Sequence, residues 1–228
     1  MLETIRAHAF LLLQYLLPKH LITAIVHRLA RVRASGVKNL MIRMFVKAYA
    51  VDTDEILDEL PNGFIDFNAF FTRALKPGAR PLAADAIVSP VDGTVSAAGD
   101  IQERQLLQAK DRHYALADLL ASDIDDATVY DGGKFATVYL APYNYHRVHC
   151  PLDARVSRAR YVPGDLFSVN ASTVVALPDL FARNERLILH FDTAQGPMML
   201  LFVGALNVGS ISTIWTGEIR PQRRGVVQ

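Results

Sequence analysis

The chain has 228 residues, 51% of them hydrophobic and 21% charged, enough for one substantial core and far too apolar for a disordered segment. Formal net charge is +1, yet residues 1–50 carry eight Lys or Arg against the single acid Glu3, which makes this part +7 and the remainder −6. A basic, apolar segment on an acidic body predicts attachment to an anionic surface, and the lone cysteine, Cys150, excludes an internal disulfide and fits a reducing compartment.

Residues 3–17 read as a short apolar helix, which Pro18 ends or whose successor it opens. Phe10 to Leu17 has the look of an export signal's apolar core, but Glu3 lies where such a signal is basic and no small-residue cleavage site follows, so export is not expected. Ala7 to Pro18 is free of Asp, Glu, Lys and Arg, well short of the ~20 apolar residues that a spanning helix needs. In a second helix Leu21, Ile22, Ile25, Val26 and Leu29 share one stripe, with His20, His27, Arg28 and Arg31 elsewhere. Ser35-Gly36 interrupts, and a third helix carries Val37, Leu40, Met41, Met44, Phe45 and Ala48 on one face. Such stripes ordinarily pack on one another or on the body. Three adjoining ones with an almost purely basic polar complement have the composition of an interfacial anchor, so residues 1–60 are expected to form a helical membrane-association region.

Asp52 to Leu60 reads as a short acidic helix ended by Pro61-Asn62-Gly63, and Asp66 as the cap of a helix holding Phe67, Phe70 and Phe71. Lys76-Pro77-Gly78 and Arg80-Pro81 form a turn-rich linker. From Ile87 onward the texture changes to β-branched and aromatic runs: Val91 to Ala97, Phe135 to Leu140, Tyr145 to Cys150, Ala154 to Val162, Leu187 to Phe191 and Met198 to Trp215. The expected fold class is α+β, with the amphipathic helices followed over residues 61–228 by a predominantly β body, a barrel or a sandwich. Met198 to Val208 is almost continuously apolar and is expected to be a buried central strand.

Three groups of residues could carry chemistry. Ser89-Pro90-Val91-Asp92-Gly93 puts a carboxylate in a tight turn at the mouth of a strand, although an Asp-Gly turn is usually only a turn. Tyr145-His146-Arg147-Val148-His149-Cys150 holds two imidazoles three residues apart; on an undistorted strand they face opposite sides, so a shared site needs a bulge or turn. The same geometry argues against a metal pair, and Cys150 is expected to be simply buried. Pro163-Gly164-Asp165-Leu166-Phe167-Ser168-Val169-Asn170 opens with a turn and offers the Ser168 hydroxyl or the Asn170 amide to an anionic ligand.

In order along the chain, Asp66-Phe67-Asn68-Ala69-Phe70-Phe71-Thr72-Arg73, Arg80-Pro81, Ser89 to Gly93, Tyr145 to His149, Pro163 to Asn170, Leu180-Phe181-Ala182-Arg183-Asn184-Glu185-Arg186, Val203-Gly204-Ala205 and Val208-Gly209-Ser210-Ile211 together resemble the longer bacterial form of phosphatidylserine decarboxylase, from about residue 60 to the end. The resemblance implies a proenzyme that cuts itself at the Gly-Ser bond of a Leu-Gly-Ser-Thr motif, leaving the serine as an amino-terminal pyruvoyl group. That motif does not occur in these 228 residues, and Gly209-Ser210 falls in a block that the family does not cleave. The chain therefore resembles the β portion, expected to be inactive without an α chain that carries the pyruvoyl cofactor. By the same resemblance His149 is the base in self-cleavage and Asp92 its orienting partner. His146 donates a proton to the decarboxylated carbon or orients the substrate carboxylate, and Ser168 contacts substrate. A Schiff base between pyruvoyl and phosphatidylserine loses carbon dioxide to give phosphatidylethanolamine. The implied setting is peripheral, on the cytoplasmic side of the inner membrane, as a homodimer of αβ units on anionic lipid, with no nucleic-acid partner. Two rival readings are a phosphocarrier-like β domain using the paired histidines and a non-catalytic membrane scaffold.

Overall fold

The computed structural model describes residues 2–109, 112–121 and 127–220. Pro18 separates α1 (Leu2–Leu16) from α2 (Lys19–Leu29) as predicted, whereas the second break falls at residues 30–34 and Ser35-Gly36 form the first residues of α3 (Ser35–Tyr49) rather than the interruption before it. Burial on these helices runs opposite to that of helices on a water-soluble core. Gln14, Lys19, Thr23 and Lys38 are buried alongside Ile42, while Leu12, Leu13, Leu16, Leu21, Ile25, Leu29, Leu40 and Met44 are exposed. The buried amines are satisfied. Lys19 Nζ donates to Gln14 O at 3.0 Å, pairs with Asp165 at 3.1 Å and lies 4.1 Å from the centroid of Phe167. Lys38 Nζ donates to Asn39 Oδ1 at 2.7 Å and to Pro61 O at 3.3 Å.

The expected helix over Asp52 to Leu60 does not form. Ala50 ends α3 in the left-handed region, and the Asp52 carboxylate then takes the Asp54 N–H at 3.0 Å, the local capture that makes Asp a poor helix interior. The rest of the segment spends its backbone groups on residues 74–76: Leu57 N donates to Ala74 O and Lys76 N to Glu55 O. Asp66 caps α4 (Phe67–Phe71) by accepting the Ala69 N–H at 2.8 Å.

Two compact units divide the chain, one made of Met1–Ile25, Ala97–Thr137 and Ala154–Gln228, the other of Val26–Ser96 and Val138–Asp153. The first holds the antiparallel sheet β5 (Ala154–Val162), β6 (Arg186–Thr193) and β7 (Gly196–Val203) in that spatial order. β6 is the central strand, buried over its first six residues, and it alternates between two cores: Ile188 joins Leu106, Leu116 and Leu120, while Leu187, Leu189 and Phe191 join Tyr161. The run beginning at Met198 is therefore not the central strand. It is β7, half-buried and at the edge of this sheet, and it ends at Val203.

The remaining strands pair in twos: β1 (Thr94–Asp100) with β4 (Lys134–Tyr139), β2 (Gln105–Ala109) with β3 (Arg112–Ala115), and β8 (Ile211–Thr213) with β9 (Gly217–Ile219). The fold is α+β, and among the described residues no sheet closes into a barrel: the strands divide among separate sheets of two or three, with the small helices α5 (Leu116–Leu120), α6 (Ala171–Ala176) and α7 (Leu180–Arg183) between them in sequence. The buried triplet Asn184, Glu185 and Arg186 ties these pieces together. Asn184 bonds both backbone groups of Phe167 and the carbonyl of Gly204, and Arg186 donates to the carbonyls of Asp118, Leu119, Ala182 and Asn184. Burial pulls the Arg186 guanidinium down to about 10.

Candidate active site

Residues 88–90 run beside residues 149–151. Val88 N donates to Pro151 O at 3.0 Å, and His149 N donates to Pro90 O at 2.9 Å, which brings the second histidine's backbone against the turn that carries Asp92. Gly93 is what lets this turn lie so close to the end of β4: a Cβ there would meet Tyr139 O at 2.6 Å and Val138 Cγ1 at 2.8 Å.

The Asp92 carboxylate is gripped by Arg80. Nε lies 2.9 Å from Oδ1 and 3.2 Å from Oδ2, and Nη2 lies 2.6 Å from Oδ2. The same guanidinium takes Glu55 through Nη1 to Oε1 at 2.7 Å and Nη2 to Oε2 at 2.8 Å. One cation thus orients two carboxylates bidentately. The Arg80 hydrogen bond holds the Glu55 carboxyl below its ordinary range, and the two acids, Asp92 first, push the guanidinium up.

Residues 145–150, read above as strand-like, form irregular extended chain without a ladder, so the two histidines are free of strand alternation and keep separate company. His146 is half-buried against Phe71, with ring centroids 3.9 Å apart, and its Nδ1 lies 2.9 Å from Asn144 O. A carbonyl only accepts, so Nδ1 carries the proton and Nε2 the lone pair. Burial lowers the His146 pKa, the Asn144 carbonyl partly opposes this, and the charge of Arg73 adds to the lowering. The lowering favours the uncharged ring, which is an acceptor at Nε2. His149 is exposed; its Nε2 lies 3.0 Å from Tyr145 Oη and the two rings stack at 17°.

The end of α4 and the two residues after it brace the histidine segment. Phe71 packs on His146, Thr72 O accepts from Arg147 Nε at 2.8 Å, and the buried Arg73 donates from Nη2 to Tyr143 O at 3.0 Å and Asn144 O at 3.3 Å. Of the four residues singled out from sequence, Asp92, His146 and His149 lie in one unit. The side chains of Asp92 and His149 are bonded to Arg80 and Tyr145 and not to one another. Ser168 belongs to the other unit, where its N–H donates to Gln14 Oε1 at 2.7 Å and its hydroxyl accepts from Asn170 N at 3.4 Å. The Asn170 amide is committed to capping α6, accepting the Thr173 N–H at 2.9 Å. Cys150, expected buried, is exposed, since the segment carrying it is not a core strand.

Sequence reasoning gave no role to Arg80, Glu55, Arg73, Tyr145 or Phe71. Arg73, Phe71, Arg80 and Tyr145 stand inside the quoted motifs, which was a usable signal; Glu55, 25 residues from Arg80, had none.

The family model described as Phosphatidylserine decarboxylase matches residues 67–225, and a second, described as PSD, matches residues 9–50. The phosphatidylserine decarboxylase proenzyme of Delftia acidovorans is 49% identical over 215 residues, 94% of this chain and 76% of the relative. That of Pseudoalteromonas translucida is 49% identical over 211 residues, 92% and 73% respectively, and that of Idiomarina loihiensis 48% over 217 residues, 94% and 74%.

Proposed function

The chain belongs to the phosphatidylserine decarboxylase family, and we propose that it is the larger part of an enzyme that cuts itself to generate a pyruvoyl group and then decarboxylates phosphatidylserine to phosphatidylethanolamine. The observation that carries this reading is the hydrogen bond from His149 N to Pro90 O, which joins the two motif segments holding Asp92 and His149. In self-cleavage a base must take the proton of a serine hydroxyl, and something must orient that base. His149 is the base. Asp92, held ready by Arg80, has lone pairs left for the imidazole, since a carboxylate accepts about four hydrogen bonds.

The pyruvoyl group, when present, supplies a ketone that serves as electron sink for the bond to the departing carbon dioxide. The residues here suit such a group, which is tethered through its own peptide bond and asks of the protein only donors and acceptors. Those on offer are the Tyr145 hydroxyl, the His149 ring and the lone pair on His146 Nε2. His146, whose lowered pKa favours the neutral ring, takes a proton from solvent at Nε2 and passes it to the carbon that carbon dioxide has left, or orients the substrate carboxylate. Ser168 offers its hydroxyl to the anionic headgroup.

The exposed apolar faces of α1, α2 and α3, with polar side chains turned inward, support a bilayer as their environment. No single helix among the described residues is long and apolar enough to cross a membrane. In our proposal the enzyme lies peripherally on the cytoplasmic side of the inner membrane as a homodimer of αβ units, with the exposed Arg28, Arg33, Arg43 and Lys47 available to anionic lipid.

The test is expression of the complete reading frame followed by incubation with vesicles containing phosphatidylserine. Two chains, phosphatidylethanolamine production and its loss on treatment with a carbonyl-directed amine are the expected results. A single intact chain that makes no phosphatidylethanolamine contradicts the proposal.

A further inference from the structure

We infer that Tyr145 is a positioning residue for His149, its hydroxyl fixing which ring nitrogen holds the lone pair; the inference rests on the reading of His149 as the base. A neutral imidazole has one N–H and one lone pair, and the partners of its nitrogens decide which is which. Tyr145 Oη lies 3.0 Å from His149 Nε2. A phenol oxygen shares its electrons with its ring and is a better donor than acceptor, whereas an imidazole nitrogen is a good acceptor, so the bond runs from O–H to Nε2. The proton of the neutral ring is thereby placed on Nδ1.

This is the tautomer the reaction needs. Nε2 offers its lone pair to an incoming hydroxyl, and Nδ1–H is left for a carboxylate. The rings of Tyr145 and His149 also stack, with centroids 5.6 Å apart and 17° between planes. Stacking sets the plane of the imidazole and the hydrogen bond sets which edge faces outward, so together they define both the tautomer and the flip of an exposed ring. Three residues of irregular chain separate the two groups; Arg147 within it donates to Thr72 O, and Arg73 holds the residues just before it, at the carbonyls of Tyr143 and Asn144.

In the cleavage step the arriving serine hydroxyl takes over the Nε2 lone pair from Tyr145. Its proton passes to Nε2, giving an imidazolium with N–H on both nitrogens. The serine oxygen bonds to the preceding carbonyl carbon, the peptide C–N bond breaks, and the nitrogen receives the proton back from Nε2. An amide and a hydroxyl become an ester and an amine, with no net change in protons. Without Tyr145 the neutral ring is free to place its proton on Nε2, where it blocks that transfer.

Tyr145→Phe keeps the ring and loses only the hydroxyl. Made in the complete reading frame with nitrogen-15 in its histidines, it is compared with the unaltered protein by the ring nitrogen shifts of His149 and by the rate of self-cleavage. The expected result is an Nδ1–H tautomer in the unaltered protein, a shift toward Nε2–H in the variant, and cleavage slowed by about a hundredfold, the lower end of what positioned general acid–base catalysis contributes. Unchanged shifts with unchanged cleavage overturn the inference alone. Changed shifts with unchanged cleavage overturn it too, because the reaction then does not depend on the tautomer. Normal cleavage by His149→Ala overturns the reading of His149 beneath it, and the inference with it.

Discussion

Leu12 and Leu16 of α1 are 63% and 75% exposed, and replacing both with serine probes the bilayer directly without disturbing Gln14 or Lys19, the contacts that seat the helix. Full burial of a leucine side chain is worth about 1.5–3 kcal/mol. Scaled by the fraction still exposed, the pair has about 2–4 kcal/mol left to gain from lipid, which at 1.4 kcal/mol per decade is a loss of roughly 30- to 900-fold in membrane partitioning. Sedimentation with anionic vesicles measures that partitioning, and thermal melting in the absence of vesicles verifies that the fold is unchanged. Vesicle binding within twofold of the unaltered protein, at an equal melting temperature, refutes the assignment of this face to lipid.

Arg80→Ala leaves Asp92 and Glu55 as like charges without their shared cation and releases Asp92 from its orientation. Self-cleavage measured by pulse-chase is expected to slow on the order of tenfold or more, as on losing the partner that orients a working group. Adding Glu55→Gln removes the repulsion, and part of the rate is expected to return; a double variant slower than Arg80→Ala contradicts the clamp. Glu185 is buried, and desolvation raises its carboxyl pKa while the Tyr161 hydrogen bond partly opposes it. A folded-state pKa above the unfolded one gives stability that is complete below about 4.5 and is lost as pH rises through the folded value. Glu185→Gln has no such loss, so its melting temperature is expected to gain on that of the unaltered protein between pH 5 and pH 8. A constant difference across that range removes Glu185 as the titrating group.

Where local chemistry decides structure, the chain could be read directly. Pro18 separates α1 from α2, Asp66 caps α4, and the run from Ala154 to Val162 is β5 residue for residue. Asp52 to Leu60 was misread because acidic composition says nothing of the Asx turn at Asp52 or of backbone partners near residue 75. The hydrophobicity of the run from Met198 suggests the middle of a sheet, but position in a sheet depends on which strands flank it, and it is β6 that has a partner on each side. The same limit applies to the site. Asp92, His146 and His149 were visible as motif residues, but Arg80 reaches Glu55 only through the packing of residues 74–76 on residues 55–57, a contact no periodicity encodes. The inward face of the N-terminal helices was also hidden, since burying Gln14 and Lys19 depends on distant acceptors and donors at Asp165, Ser168 and Thr173.

Intact-mass measurement on the complete reading frame, unaltered and as the Asp92→Ala and His149→Ala variants, tests the account at its centre. Two chains from the unaltered protein and one full-length chain from each variant are the predicted result. Two chains from both variants, at the unaltered rate, would show that the joined turn and histidine segments are not what cuts the chain.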